Sequence, residues 1–499
     1  MRSHSMLPAS ARYSTAVLLA VLPASLASSQ TAWTAADGDW SNEANWTAGQ
    51  PFVFDTTVAD PDGDPTTDDG FTFSTAIGAT IDNAGTVRVT QAGEVADVVQ
   101  LGATAGGSGT LIVSTGGELT VNADDVAAQG LYLGDTVAGS SGRLVIDGGT
   151  VNILSGGGTE SDGTASSGAG GDLTVGRAGS GSFEFSAGEL NVGSRVNANI
   201  IIANRVGSSG TVTQTGGDAK VAGSVFIGAN GPGDYSISGG TLDLFTDSQD
   251  IFVSNGATGV GVFNVSDTAV VTVGDNLRLA DDFGGSGVVN QTGGSQAYGN
   301  SLLIGNNGDG TFNLSGGSLA ADSAFVGNND NAVGDFVISG GTLTVTNNFA
   351  VAATSNFNLA ATTANTGRLA VVGSDATIAI GGFFVADTDR ATLAFDVDGG
   401  GISLVDVASD AFLSQATVDM GVAAGATPSL GDAFDLLTAS SIDALPTLLA
   451  ADASAWSLDL VSGGNGQVLR ATYLIPEPAS AAVLAAGALL LASRRRVAG

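Results

Sequence analysis

The sequence predicts an all-β chain of stacked repeats. The fold class it points to is a right-handed parallel β-helix, or β-solenoid, with a Trp-rich N-terminal cap, a C-terminal β-structured cap and one C-terminal hydrophobic helix. Three observations predict this. "GTFNLSGGSLA" at Gly310 is followed by the near-copy "GDFVISGGTLTV" at Gly334. Apolar and polar residues alternate inside each copy, the period of a strand with one buried face. Glycine makes up 75 of 499 residues with no Gly-X-Y period, so it marks turns and not a collagen helix.

Aligned on the glycine before each Gly-Gly turn, the copies begin at Gly109, Gly142, Gly181, Gly210, Gly233, Gly261, Gly287, Gly310, Gly334 and Gly367. Their separations are 33, 39, 29, 23, 28, 26, 23, 24 and 33, a base of 23 or 24 lengthened by insertions. Self-similarity at this period means a stacked array; a propeller blade needs about 40 residues. The copy at Gly233 shows the unit. Tyr235 and Ile237 alternate with Ser236, Gly239 and Gly240 turn the chain, Leu242 and Leu244 alternate, then Ile251 and Val253 flank Phe252. Three strands and three corners per copy predict stacked triangular coils, each resting on its neighbours. The copy at Gly261 runs "VSDTAVV" from Val265 and lacks the Gly-Gly, and Gln214 and Gln291 stand where apolar residues should point inward. A buried amide must find partners.

Composition narrows the function classes. Acidic residues number 49 against 15 basic ones, which disfavours nucleic acid as a partner because its phosphates would be repelled. Hydrophobic residues at 43 % are too many for a disordered chain. Cysteine is absent, His4 is the sole histidine and Lys220 the sole lysine. Thiolate chemistry, His-based triads and Cys/His zinc sites are thereby excluded. A pair of carboxylates of the glycosidase kind stays open, since acids are plentiful.

Both ends read as processing segments. Arg2 and Arg12 precede "AVLLAVLP" and then "ASLASSQ", a secretory signal over 1–27 with small residues at cleavage spacing. At the other end, "PEPASAAVLAAGALLLASRRRVAG" has a short apolar stretch followed by three arginines, a positive-inside flank. Pro-Glu-Pro, a short apolar helix and an Arg cluster, in that order, resemble the PEP-CTERM sorting signal of bacterial exported proteins. The resemblance implies that Pro476, Glu477 and Pro478 are a recognition motif, with Arg494, Arg495 and Arg496 as the flank. It also implies a processing partner, an exosortase, a membrane-embedded transpeptidase-like enzyme that supplies its own nucleophile. The chain is then held at the membrane at least transiently before it reaches the cell surface or the extracellular space.

The repeat itself, Gly-x-apolar-x-apolar-Ser/Thr-Gly-Gly-x-Leu-x-Val, resembles the one shared by type V secretion passengers and PEP-CTERM proteins, over roughly Gly109 to Phe384. The domain reading is 1–27 signal, 28–70 Trp-rich cap, 71–390 repeats, 391–474 C-terminal β region and 475–499 sorting signal with a short transmembrane helix. Trp33, Trp40 and Trp46 lie within the cap. They either cover the end of the stack or form a sugar-stacking platform, and packing is the commoner use of large aromatics.

Two site candidates follow from pattern alone. Asp60, Asp62 and Asp64 alternate in "ADPDGDPTTDDG", as oxygen ligands around Ca²⁺ do, although Pro65 intrudes and no Glu closes the loop. The competing reading is a solvated acidic loop. The second candidate is an outward apolar stripe. In "LYLG", "IIIA", "VFIG", "IFVS", "LLIG", "AFVG" and "FFVA" the middle residue points away from the core if its neighbours point in. That places Tyr132, Ile201, Phe226, Phe252, Leu303, Phe325 and Phe384 on one face, interrupted by Thr174, Arg278 and Ala350. Contiguous apolar surface of this kind is covered either by the chain's own appendages or by a partner, through self-association or a glycan.

No catalytic residues are expected, and no cofactor apart from the Ca²⁺ candidate. The functional expectation is an exported structural or adhesive component of the cell surface or extracellular matrix, not an enzyme. By resemblance, exopolysaccharide is the partner class. A polysaccharide-active hydrolase or lyase, or a glycan-binding module, is the alternative.

Overall fold

The computed structural model describes residues 30–47, 78–96, 98–123, 130–135, 137–155, 171–193, 198–329, 331–352, 364–386, 388–464 and 466–475. These form 38 strands joined into one hydrogen-bonded system. Each strand of the repeats pairs in parallel with its equivalent in the next repeat. Pro232–Ile237 pairs Val260–Val265, Thr241–Leu244 pairs Val270–Val273, and Ile251–Val253 pairs Leu277–Leu279. Three ladders run the length of the repeats, here called first, second and third in the order the chain visits them.

The register is set by the glycines. Gly109, Gly142, Gly181, Gly210 and Gly233 are direct partners in sequence, and Gly261, Gly287, Gly310, Gly334 and Gly367 continue the column. The cause is space. A Cβ on Gly261 would lie 2.3 Å from the Ile227 carbonyl oxygen and 2.6 Å from the Ser254 nitrogen, closer than any real contact. At this corner two tiers touch backbone to backbone, and only glycine fits.

Inward positions alternate with outward ones as the period requires, and they form one continuous core. Phe263, Phe312, Phe336, Phe349 and Phe395 are among its largest fully buried side chains. Rings pack on rings across tiers: Tyr235 and Phe263 lie edge to face at 5.7 Å, Phe349 and Phe384 stack at 5.5 Å.

Here the structure corrects the expected fold class. The Gly-Gly corners were expected to end each strand, giving a right-handed parallel β-helix of separate strands with a terminal helix. Several strands instead run through the corners as bends with register shifts. Ser180–Val192 pairs both Ser209–Gln214 and Asp218–Val221, and Ser286–Ile304 pairs both Val260–Val265 and Val270–Val273. With Pro232–Ile237 and Thr241–Leu244 between them, these close a circuit of eight parallel strands, a barrel-like closure with further strands outside it. Flexible glycine lets a bulge bend a strand without ending its pairing. Among the described residues there is no α-helix, only the 3-10 turn Glu43–Asn45, and no helix long and apolar enough to cross a membrane. The expected hydrophobic helix falls on 476–499, outside the described residues.

Both ends of the described structure are packed by aromatics. Trp33 and Trp40 each meet Trp46 edge to face at 5.0 Å, and Trp46 Nε1 donates to the Trp40 carbonyl at 2.9 Å. All three rings are buried, so they offer no platform to a sugar. At the far end the parallel pattern gives way to an antiparallel hairpin, Trp456–Gly463 with Gly466–Tyr473, set beside Ala433–Ala439. Trp456 packs between Tyr473 at 4.9 Å and Phe434 at 6.0 Å.

Candidate functional site on the outer face of the third ladder

The third ladder is built from short strands, most of three or four residues, and from the ends of Ser286–Ile304 and Asp309–Val326; in each tier one side chain between two inward ones faces out. The column of outward positions runs Gln100, Tyr132, Thr174, Ile201, then Phe226, Phe252, Arg278, Leu303, then Phe325, Ala350 and Val385. Six of the seven residues expected on this face are on it. Phe384 is not. Its direct partner is Phe349, it is fully buried in the main core, and the outward place belongs to Val385. "GGFFVA" offers two adjacent phenylalanines, and the smaller Ala386 fills the second inward position.

The column changes character along its length. At one end Tyr132 is buried beneath Arg177, whose guanidinium lies 4.4 Å from the ring centroid and 2.6 Å from Asp135. Burial pushes the Tyr132 hydroxyl up to about 12, against the pull of Arg177. In the middle Phe226 and Phe252 are half-buried and stacked at 4.7 Å with planes 6° apart. Arg278 follows, 5.7 Å from the Phe252 ring. At the other end Leu303, Phe325, Ala350 and Val385 form a second buried apolar cluster, separate from the core.

A hydrogen-bonded rail borders the column. From Asp172 to Asn276, the residue two places before each outward position offers a side-chain oxygen to the backbone N–H of its equivalent one tier on. Asp172 Oδ1 accepts from Asn199 at 2.8 Å, Asn199 Oδ1 from Ser224 at 2.9 Å, and Ser224 Oγ from Asp250 at 3.2 Å. Asp250 Oδ1 accepts from Asn276 at 2.8 Å and Asn276 Oδ1 from Ser301 at 3.0 Å. The rail satisfies corner amides that the strands leave over.

Where rail and column meet, over three tiers, lies a groove of about 500 Å³. Arg278, Leu303 and Phe325 line its floor. Asn276, Asn300, Ser301 and Ser323 form one wall; Asn306, Asn328 and Asn329 form the other. The second wall is knitted together: Asn306 Nδ2 donates to Asp281 Oδ1 at 2.5 Å, while Asn328 and Asn329 donate to Asn306 Oδ1 at 2.7 and 3.1 Å. Asn328 Oδ1 is buried without a donor, an arrangement that costs about 1–3 kcal/mol. Arg278 is held by Asp250 at 2.6 Å and Asp281 at 3.7 Å. Sequence reasoning treated Arg278 as an interruption and passed over the asparagines. The signal was the Asn-Asn pair after the third strand of two successive repeats, "IGNNGDG" and "VGNNDN".

The other candidates stand as follows. Asp60, Asp62 and Asp64, and Pro476, Glu477, Pro478, Arg494, Arg495 and Arg496, lie outside the described residues. No group of three or more His, Cys, Asp or Glu suited to a metal ion occurs among the described residues. Asp281 accepts from Asn306 of the groove wall at 2.5 Å, and Asp282 accepts from the Phe283 amide at 2.8 Å. Asp419 titrates above the ordinary carboxylate value, first through burial and then through the neighbouring Asp452 charge. No family model matches this chain, and no curated protein does.

Proposed function

We propose that this chain is an exported structural or adhesive component of the cell surface or extracellular matrix, sorted through its PEP-CTERM-like segment. The observation that carries the reading is the column of ten glycines, which makes the chain a repeating framework. Its polar side chains serve tier-to-tier bonding, as in the rail from Asp172 to Ser301. Composition agrees: the net charge of −34 keeps such a framework soluble, and the mature segment carries no histidine or cysteine. The N-terminal signal and the Pro-Glu-Pro segment supply the route, with an exosortase-type enzyme as processing partner and extracellular polysaccharide as the partner class.

Fractionation of the native host tests this. Antibody to the repeats should detect the chain in the surface and matrix fractions, extracted together with matrix polysaccharide. Retention in the cytoplasm with residues 1–27 still attached would contradict it.

A further inference from the structure

We infer that the apolar face around Ile475, where the chain leaves the C-terminal end of the stack, docks on the surface of a lipid bilayer. This rests on the proposed sorting role, in which the apolar stretch 479–492 holds the chain at the membrane.

Exposed apolar side chains gather at this end. Among the described residues, all five exposed leucines and the one exposed isoleucine lie between Leu404 and Ile475. Leu430 is 61 % exposed, Leu474 42 % and Ile475 41 %. Backbone hydrogen bonds draw their segments together. The Gly431 amide donates to the Tyr473 carbonyl at 2.9 Å, which sets Leu430 beside the strand end at Leu474. The Leu474 amide donates to the Ala455 carbonyl at 2.8 Å, and the turn leading to Ala455 carries the exposed Leu449 and Ala450. Apolar surface grouped in this way marks a contact.

The sequence beyond Ile475 names the occupant. Only Pro476, Glu477 and Pro478 separate it from the stretch 479–492. Four Cα steps reach at most about 14 Å. The headgroup layer alone is about 5–8 Å deep. Residues 479–492, at the helical rise, would cover about 21 Å of a hydrocarbon core that is ~30 Å thick, so no slack is left outside it. While that stretch is inserted, Ile475 is held at the headgroups, and Leu430, Leu449 and Leu474 come with it. Tethering keeps the face at high effective concentration against the bilayer, so a contact too weak to anchor the chain by itself is populated.

Charge selects the lipid. Arg470 is the only basic residue between Leu404 and Ile475, and Asp435 pairs with it at 2.5 Å. Asp432 is exposed close to Leu430. The contact is therefore apolar and gains nothing from anionic headgroups.

The test uses the full chain reconstituted in phosphatidylcholine vesicles. The parent has no cysteine, so a fluorophore can be placed at one site only, through Ala450→Cys or, many tiers away, through Val206→Cys. Spin-labelled lipid should quench the probe at 450 about threefold or more above the probe at 206. Adding Leu430→Asp and Leu449→Asp leaves the tether intact and should lower quenching at 450 about twofold or more, with circular dichroism unchanged. Phosphatidylglycerol in the vesicles should not raise it. If the aspartate variant fails to fold, Leu430→Ser with Leu449→Ser decides. Flotation separates the two ways of failing. A chain that floats with the vesicles but shows equal quenching at both sites, or quenching that the folded variants leave unchanged, overturns the docking face while the anchoring stands. A chain that does not float overturns the anchoring and the docking with it. A probe at 450 that is shielded from water yet not quenched by spin-labelled lipid means that a second copy covers the face, which overturns lipid as its occupant.

Discussion

The Tyr235 hydroxyl donates to Gln214 Oε1 at 2.7 Å, inside the core and across adjacent tiers. Gln214 Nε2 donates in turn to the carbonyls of Thr241 at 2.9 Å and Gly217 at 3.2 Å. An amide that looks misplaced in the repeat pattern is thus fully used. Gln291 is satisfied in the same manner: it donates to the Ser318 carbonyl at 2.8 Å and accepts from Gln296 at 2.9 Å, which accepts from Tyr298 at 2.6 Å. Desolvation holds both tyrosines well above the ordinary phenol value, so they are donors at every physiological pH.

Removing the Tyr235 hydroxyl strands a buried acceptor. Tyr235→Phe should lower stability in urea by about 1–3 kcal/mol. The double variant Tyr235→Phe with Gln214→Leu should recover part of the loss, because the stranded amide oxygen is gone, although the Thr241 and Gly217 carbonyls lose the Gln214 donor. A single variant within about 0.5 kcal/mol of the parent would show that the pair contributes little.

The third ladder's register gives a paired prediction. Phe384 is fully buried and Phe383 is 45 % exposed. Phe384→Ala should cost about 3–5 kcal/mol, the range for emptying an aromatic site in a core. Phe383→Ala should stay within about 0.5 kcal/mol. Denaturation curves with the two costs exchanged would mean that Val385 and not Phe384 faces the core.

Asp172 gives the pH dependence. Burial raises its carboxyl above the ordinary 3.8, while bonds from Asn199 and the charge of Arg177 oppose the shift without cancelling it. Between 3.8 and the raised folded value the folded chain binds more protons than the unfolded one, so this group's contribution to stability falls as pH rises through that window. Asp172→Asn keeps an oxygen for Asn199 and removes the buried charge. The variant should be at least as stable as the parent at pH 7, with any advantage shrinking as pH falls below the ordinary carboxylate value. Thermal melts between pH 3 and 7 check this. An advantage that grows toward low pH contradicts it.

What the sequence made legible follows from what repeats. A glycine column forced by backbone contact leaves a mark at every tier, so Gly109 to Gly367 could be aligned and their register read. Alternation placed Phe226, Phe252 and Leu303 on an outer face. What stayed hidden depends on single encounters in space. Nothing in "VTQTGGD" says that Tyr235 from the next tier reaches Gln214. Nothing in "GGFFVA" says which phenylalanine turns inward, since both orders alternate equally well. The rail from Asp172 to Ser301 mixes Asp, Asn and Ser, which share an oxygen acceptor but not a letter. Strands passing through Gly-Gly corners escaped for a different reason: glycine permits both a turn and a bend, and pairing with the neighbouring tier decides between them.

The account's central claim, export and sorting through the C-terminal segment, is tested most directly by mass spectrometry of the chain released from the surface of native cells. The account predicts a mature form that begins after the secretory signal and lacks Arg494, Arg495 and Arg496. A mature surface pool that keeps its C-terminus through Gly499 would contradict it.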